Sequence, residues 1–181
     1  MSADLLKSPA HPAVLQGLID GIDAACEAPR AEIGKAVVRT LEQASRSPGW
    51  LAPAAQRPCG DGYTRHVLHA DPDGRYTVVA IVWEPGQCSP VHGHATWCGY
   101  TVVSGCLHEA SFAFDPGLGA ARLLDSASRP AGATVFSPPG LEEIHRLGNA
   151  DAERAAVSVH VYGLDVARIA TDVNRLVDVA A

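Results

Sequence analysis

Between Tyr63 and Tyr162 the chain breaks into short runs rich in β-branched and aromatic residues, each closed by a turn signal. The runs cover residues 63–70, 75–84, 97–104, 107–114, 133–137 and 155–162. The punctuation includes DPDG at 71–74, EPG at 84–86, DPG at 115–117 and PPG at 138–140. Glycine and proline at such spacing force the backbone to reverse, and no helical period fits between the turns. Many short strands without intervening helices predict a mainly β fold, an antiparallel sandwich or barrel. The flanks follow another rule. Val14, Leu15, Leu18, Ile19 and Ile22 fall on one helical stripe, as do Ile33, Val37, Val38 and Leu41. Residues 45–59, rich in Pro, Gly and Ser, read as a connector. Val166, Ile169, Val173, Leu176 and Val177 return to helical spacing and predict a C-terminal helix. The 181 residues suit one domain: a helical segment over 1–58, a barrel over 59–163 and a helix over 164–181.

The formal net charge of −6, with no block of Lys or Arg, excludes a footprint for nucleic acid. The longest strictly apolar run, 78–83, falls far short of the roughly 20 residues that span a bilayer. The opening MSADLLKSPAHP has neither a basic start nor an apolar stretch, so a cytoplasmic location is expected. Five cysteines, Cys26, Cys59, Cys88, Cys98 and Cys106, form no CxxC pair. An odd count fits reduced thiols, and the spacing excludes a zinc ribbon. Nothing in the sequence demands more than a monomer.

Eight histidines are present, and two form His92-Gly-His94. Residues two apart on a strand share a face, so both imidazoles can converge on one point. A second segment, GATVFSPPGLEEIHRLGN at 132–149, runs strand, Pro-Gly turn, strand, and delivers His145. These two segments resemble the paired motifs of the cupin superfamily, G(x5)HxH(x3,4)E(x6)G and G(x5)PxG(x2)H(x3)N. Four residues rather than two separate Gly140 from His145. The glutamate of the first motif is missing, with Cys98 and Gly99 at its two positions. Three neutral imidazoles would leave a divalent charge uncompensated and so favour anionic ligands, a thiolate among them. Spacing does not choose the metal: ferrous iron and zinc are both served by such a set.

On residues 156–163, AVSVHVYG, the side chains of Ser158, His160 and Tyr162 share one face. They form either an exposed strand face or a buried chain in which Ser fixes the His tautomer and His orients the phenol. Together with GYTRH at 62–66, PVHGHATWCGYTVVSGCLHE at 90–109 and IHRLGN at 144–149, the chain resembles the cysteine dioxygenase family of thiol dioxygenases, in its bacterial, Arg-containing branch. The resemblance implies a cupin-type jelly-roll barrel binding one Fe(II) through His92, His94 and His145, with Ser158, His160 and Tyr162 beside it as catalytic groups. It further implies that Arg65 clamps the substrate carboxylate, a task suited to a planar guanidinium fork. Tyr63 shares the strand face of Arg65 and can assist. Trp97, three residues past His94, is expected on the pocket wall.

The activity so implied is oxidation of a small carboxylated thiol by O2 to a sulfinic acid. L-cysteine is the first candidate, since 3-mercaptopropionate dioxygenases carry Gln where this chain has Arg65; mercaptosuccinate is another. Animal members have a cysteine five residues past the second ligand that can crosslink to the tyrosine. Gly99 holds that position here, which leaves Tyr162 unmodified and Cys98 out of step. His66, by parity, faces outward; His69 is at most a rim residue, and His11 and His108 belong to the surface. Arg168 faces solvent or the cavity mouth. A zinc or nickel hydrolase or isomerase, and a non-catalytic cupin binding protein, are the competing classes.

Overall fold

Two helices lead into two five-stranded antiparallel sheets with a cavity between them. The computed structural model describes residues 12–60 and 62–180; His11 lies outside the described residues. Helices α1 (Pro12–Glu27) and α2 (Ile33–Ser45) bury the centres of the stripes expected of them, Leu18 and Ile22 from α1 and Val37 and Leu41 from α2, and add Ala25 and Ala44. They pack closely because Gly21 has no side chain: a Cβ there would lie 2.5 Å from Thr40 Cγ2. No helix among the described residues is long and apolar enough to cross a membrane.

The first sheet has the order β1 (Thr64–Ala70), β2 (Thr77–Trp83), β9 (Ala156–Tyr162), β4 (Cys98–Ser104), β7 (Thr134–Ser137). The second has the order β10 (Asn174–Leu176), β3 (His92–His94), β8 (Gly140–Gly148), β5 (Cys106–Asp115), β6 (Ala120–Pro130). Every residue of β2 and β9 is buried, because both of their faces are covered. Val78, Ala80, Val82, Val157, Val159 and Val161 meet the helices. Val79, Ile81, Trp83, Ser158, His160 and Tyr162 point the other way. A nearly continuous apolar run such as TVVAIVW is what two-faced burial requires. Arg75 fastens the helices to this sheet, bonding Asp71 beside it and Asp23 and Glu27 on α1. The architecture is a mainly β, cupin-type antiparallel barrel.

The C-terminal helix expected over 164–181 is absent. In its place a single 3₁₀ turn (Val166–Arg168) precedes β10, and β10 pairs with β3, Asn174 opposite His94 and Leu176 opposite His92. The apolar spacing misleads because its residues serve different surfaces. Ile169 and Val173 seal the barrel interior, Val177 packs on a second cluster, and Leu176 is 69% exposed. The backbone groups of β3 need a strand partner on that side, and a helix cannot supply one. Strand β6 also lacks an apolar alternation in the sequence. It is an edge strand, largely solvent-exposed, so its pattern carries no burial signal.

Candidate metal centre and its cavity

Strand β3 is three residues long and carries two imidazoles; its neighbour β8 carries the third. His92 pairs with His145, whereas His94 pairs with Gly140, so two steps along β3 face five along β8. The extra residues between Gly140 and His145 are thus absorbed as a bulge. Gly93 is required between the ligands, since any Cβ there would strike the carbonyl oxygen of Gly140.

The candidate ligand atoms of His92, His94 and His145 all lie within 4.8 Å of one another, and all three rings are buried. Hydrogen bonds fix two of them. His92 Nδ1 lies 2.8 Å from the Pro90 carbonyl oxygen, and His145 Nδ1 lies 2.6 Å from Glu109 Oε1. A carbonyl or an ionised carboxylate can only accept, so each Nδ1 carries the proton and each Nε2 keeps its lone pair for a ligand. His94 Nδ1 is buried without a hydrogen-bond partner. Burial is the main force that pushes His92 down to about 4 and His94 down to about 3. Both rings are therefore neutral at ordinary pH, the state in which imidazole binds a metal. The donor set fits one divalent ion with positions left open.

Glu109 was not among the residues expected here. It is 4% exposed on β5, and its Oε2 accepts from Arg129 Nε at 2.7 Å. Burial works to raise its pKa, but the hydrogen bonds and charges of His145 and Arg129 prevail and hold it at about 2. One signal was legible: Glu109 has the strand parity of buried Leu107, and a carboxylate at an inward position needs a partner.

His160 and Tyr162 line the same cavity as the imidazoles, and Ser158, on the same strand face, is buried behind them. Trp83 Nε1 donates to Ser158 Oγ at 2.9 Å; Ser158 Oγ and His160 Nε2 are 2.8 Å apart, and His160 Nδ1 and Tyr162 Oη are 3.2 Å apart. Burial drives His160 well below the usual histidine range and Tyr162 well above the usual tyrosine range, so the ring stays neutral and the phenol keeps its proton. Arg65 also lines this cavity. Its Nη2 donates to Tyr63 Oη at 3.1 Å, and the Tyr63 ring stacks on Trp83 at 4.7 Å between centroids. The Nε of Arg65 is buried without a partner, and no carboxylate among the described residues pairs with this guanidinium.

Trp97 is not on the pocket wall. It packs against Phe136 on the helix side of the first sheet, where neighbouring Gly99 meets Val37. The chain crosses from the second sheet to the first at residues 95–97, so the parity that aims His92 and His94 inward is lost at the corner. The inward residues of β4 are Cys98, Tyr100 and Val102. Trp83 is the tryptophan that lines the cavity. The sequence leaves the placement of Cys98 open, and the structure puts it in the cavity. It sits directly opposite Tyr162 in the β4–β9 ladder, its Sγ 4.0 Å from His160 Nδ1, and burial pushes its thiol pKa up. Counting from His94 puts Cys98 out of step; strand register puts it in the cavity.

Among the remaining candidates, His66 faces away from the cavity but is covered, its Nε2 2.8 Å from the Arg57 carbonyl oxygen. His69 lies against Tyr76, His108 is exposed, and exposed Arg168 pairs with Asp172. Asn174, which lines the cavity from β10, was hidden by the helical reading of the tail.

Among solved structures, a Thermus thermophilus protein is 18% identical, with 61% of this chain and 91% of that chain covered and a TM-score of 0.48. A Klebsiella pneumoniae protein with a double-stranded beta-helix domain is 24% identical over 63% of this chain and 87% of that chain, TM-score 0.45. A Cupin 2 conserved barrel domain protein from Salinispora arenicola is 21% identical over 66% and 89%, TM-score 0.46. The family model described as cysteine dioxygenase type I matches residues 30–170, a span that contains every cavity residue named above except Asn174. With well over half of its length matched, the chain belongs to the cysteine dioxygenase type I family.

Proposed function

We propose that the protein is an Fe(II)- and O2-dependent thiol dioxygenase that converts a small carboxylated thiol, L-cysteine first among them, to its sulfinic acid. The overall reaction, RSH + O2 → RSO2H, balances without an external reductant, because the thiol sulfur supplies the electrons. The observation that carries this reading is the pairing, in one cavity, of three buried imidazoles with a guanidinium that has no carboxylate partner. A site of that kind calls for a ligand with an anionic sulfur at one end and a carboxylate at the other. Family membership supports the same chemistry. An Arg at position 65 favours the Arg-containing branch and cysteine over 3-mercaptopropionate.

Ferrous iron at the three imidazoles would supply a Lewis acid that favours the thiolate and an electron donor able to activate dioxygen. The protein does the positioning. Arg65 receives the carboxylate as a bidentate partner, which satisfies its idle N–H, and Tyr63 braces the guanidinium through its hydroxyl. Tyr162 holds its hydroxyl toward the reacting sulfur and oxygen, steadied by His160, which Ser158 and Trp83 anchor in turn. Enclosure of these groups excludes bulk water and strengthens each polar contact. The described cysteines are all free thiols, which supports a reducing, cytoplasmic setting. One chain supplies every residue this reading uses.

The test is to load the purified protein with Fe(II) and offer cysteine, 3-mercaptopropionate, mercaptosuccinate and cysteamine, following dissolved oxygen and sulfinate mass together. Oxygen uptake matched by sulfinate is expected with cysteine, and none with cysteamine, which lacks the carboxylate. Turnover without oxygen would indicate a hydrolase or isomerase; binding without product would indicate a binding protein.

A further inference from the structure

A three-imidazole set brings no negative charge to a divalent ion, and neither Cys98, a buried and protonated thiol, nor Gly99 supplies a carboxylate at the two positions where the cupin motif can place one. The missing charge has not left the site. Glu109 stands behind His145: its Oε1 accepts from His145 Nδ1 at 2.6 Å, while Arg129 Nε donates to its Oε2 at 2.7 Å. Glu109 reaches this place because β5 lies between β6 and β8. Ser111 of β5 is paired with His145, and Leu107 of β5 is paired with Arg129. The carboxylate is therefore held from both neighbouring strands.

We infer that Glu109, oriented by Arg129, is a positioning residue of the metal centre that supplies through His145 the anionic charge the ligands themselves lack. The three ligands are not equivalent in this respect. His92 donates to a neutral carbonyl and His94 Nδ1 has no partner, so among the described residues only His145 has an anionic one. A carboxylate on the far N–H of an imidazole fixes its tautomer and makes its other nitrogen a stronger donor. His145 would thus be the most strongly donating of the three ligands. A salt bridge that served only to staple β5 to β6 would have no reason to spend one oxygen on a ligand imidazole.

The inference rests on the metal-binding part of the proposed function and not on the thiol reaction. Glu109→Gln keeps the size of the side chain and removes its charge. Fe(II) affinity, measured by competition with a chromophoric chelator, is expected to fall about 10- to 100-fold in this variant. The visible bands of the Co(II)-substituted protein are expected to shift, while circular dichroism stays unchanged. Glu109→Asp, which retains the charge on a shorter arm, is expected to recover part of the affinity. Parental affinity and parental Co(II) bands in Glu109→Gln overturn the inference. Should Glu109→Gln not fold, Glu109→Asp carries the test: shifted Co(II) bands support the role, and unchanged bands overturn it. Wild-type protein that binds neither metal overturns the centre and this role together. Glu109-sensitive metal binding without thiol oxidation overturns only the proposed reaction and leaves the inference standing.

Discussion

The two sheets meet at one cavity but contribute to it by different means. The sheet under the helices is buried on both faces over β2 and β9, and it presents Tyr63, Arg65, His160 and Tyr162. The other sheet has one face in water, short or bulged strands at the site, and all three imidazoles together with Glu109. The first places hydrogen-bonding groups with the rigidity of a packed core. The second gathers ligands on a strand of three residues and relies on polar anchors, Pro90 and Glu109, to aim them. Ion binding and substrate binding should therefore separate by sheet.

The largest expected effect lies in the second sheet. Replacing His92, His94 or His145 by Ala should abolish Fe(II) binding, read as metal per protein after desalting; full occupancy in all three variants would dissolve the division. Arg65→Ala, in the first sheet, should cost about 1.5–3 kcal/mol of thiol binding, the usual worth of hydrogen bonds to charged groups. Iron content should not change, and titration calorimetry on iron-loaded protein checks both. Trp97→Ala tests its placement under the helices: a loss of about 1–3 kcal/mol in urea unfolding is expected, with substrate affinity intact. A KM change at constant stability would return Trp97 to the pocket. Tyr162→Phe should slow turnover by about 1 kcal/mol in activation free energy while sparing iron, and equal rates would make the phenol a bystander.

The smallest effect concerns how the helix layer is fastened. Hydrogen bonding to Arg75 lowers Asp71 to about 2, against an unfolded value of about 3.9. A depressed carboxylate stabilises the fold above its unfolded pKa, and that contribution is lost as pH falls from about 4 toward 2. Urea midpoints measured down that range should decline less steeply in Asp71→Asn than in the parent. Parallel curves would remove Asp71 from the account.

What the sequence made legible depended on whether the signal was local. The helix stripes, the turn-punctuated strands, and the period-two spacings of His92 with His94 and of Ser158, His160 and Tyr162 are properties of a few consecutive residues, and sequence carries such information well. For Glu109 the strand parity is legible but the partner is not, because its role comes from His145, 36 residues away. Spacing misplaces Trp97 and leaves Cys98 undecided for a shared reason. Counting from His94 assumes one continuous strand, and the chain changes sheets between them. The tail was read as a helix because its apolar residues recur at helical intervals, although they serve separate surfaces and answer the open edge of β3. Propensity yields when a neighbouring strand lacks a hydrogen-bonding partner.

That answer from β10 sets an order of assembly. During synthesis the three imidazoles have all been made once residue 145 has left the ribosome, but β3 gains its second neighbour only when residues 174–176 follow. A nascent chain halted before then would own every ligand and still present two of them on an unclamped ribbon. A chain cut before residue 174 should therefore lose metal retention well before its barrel melts.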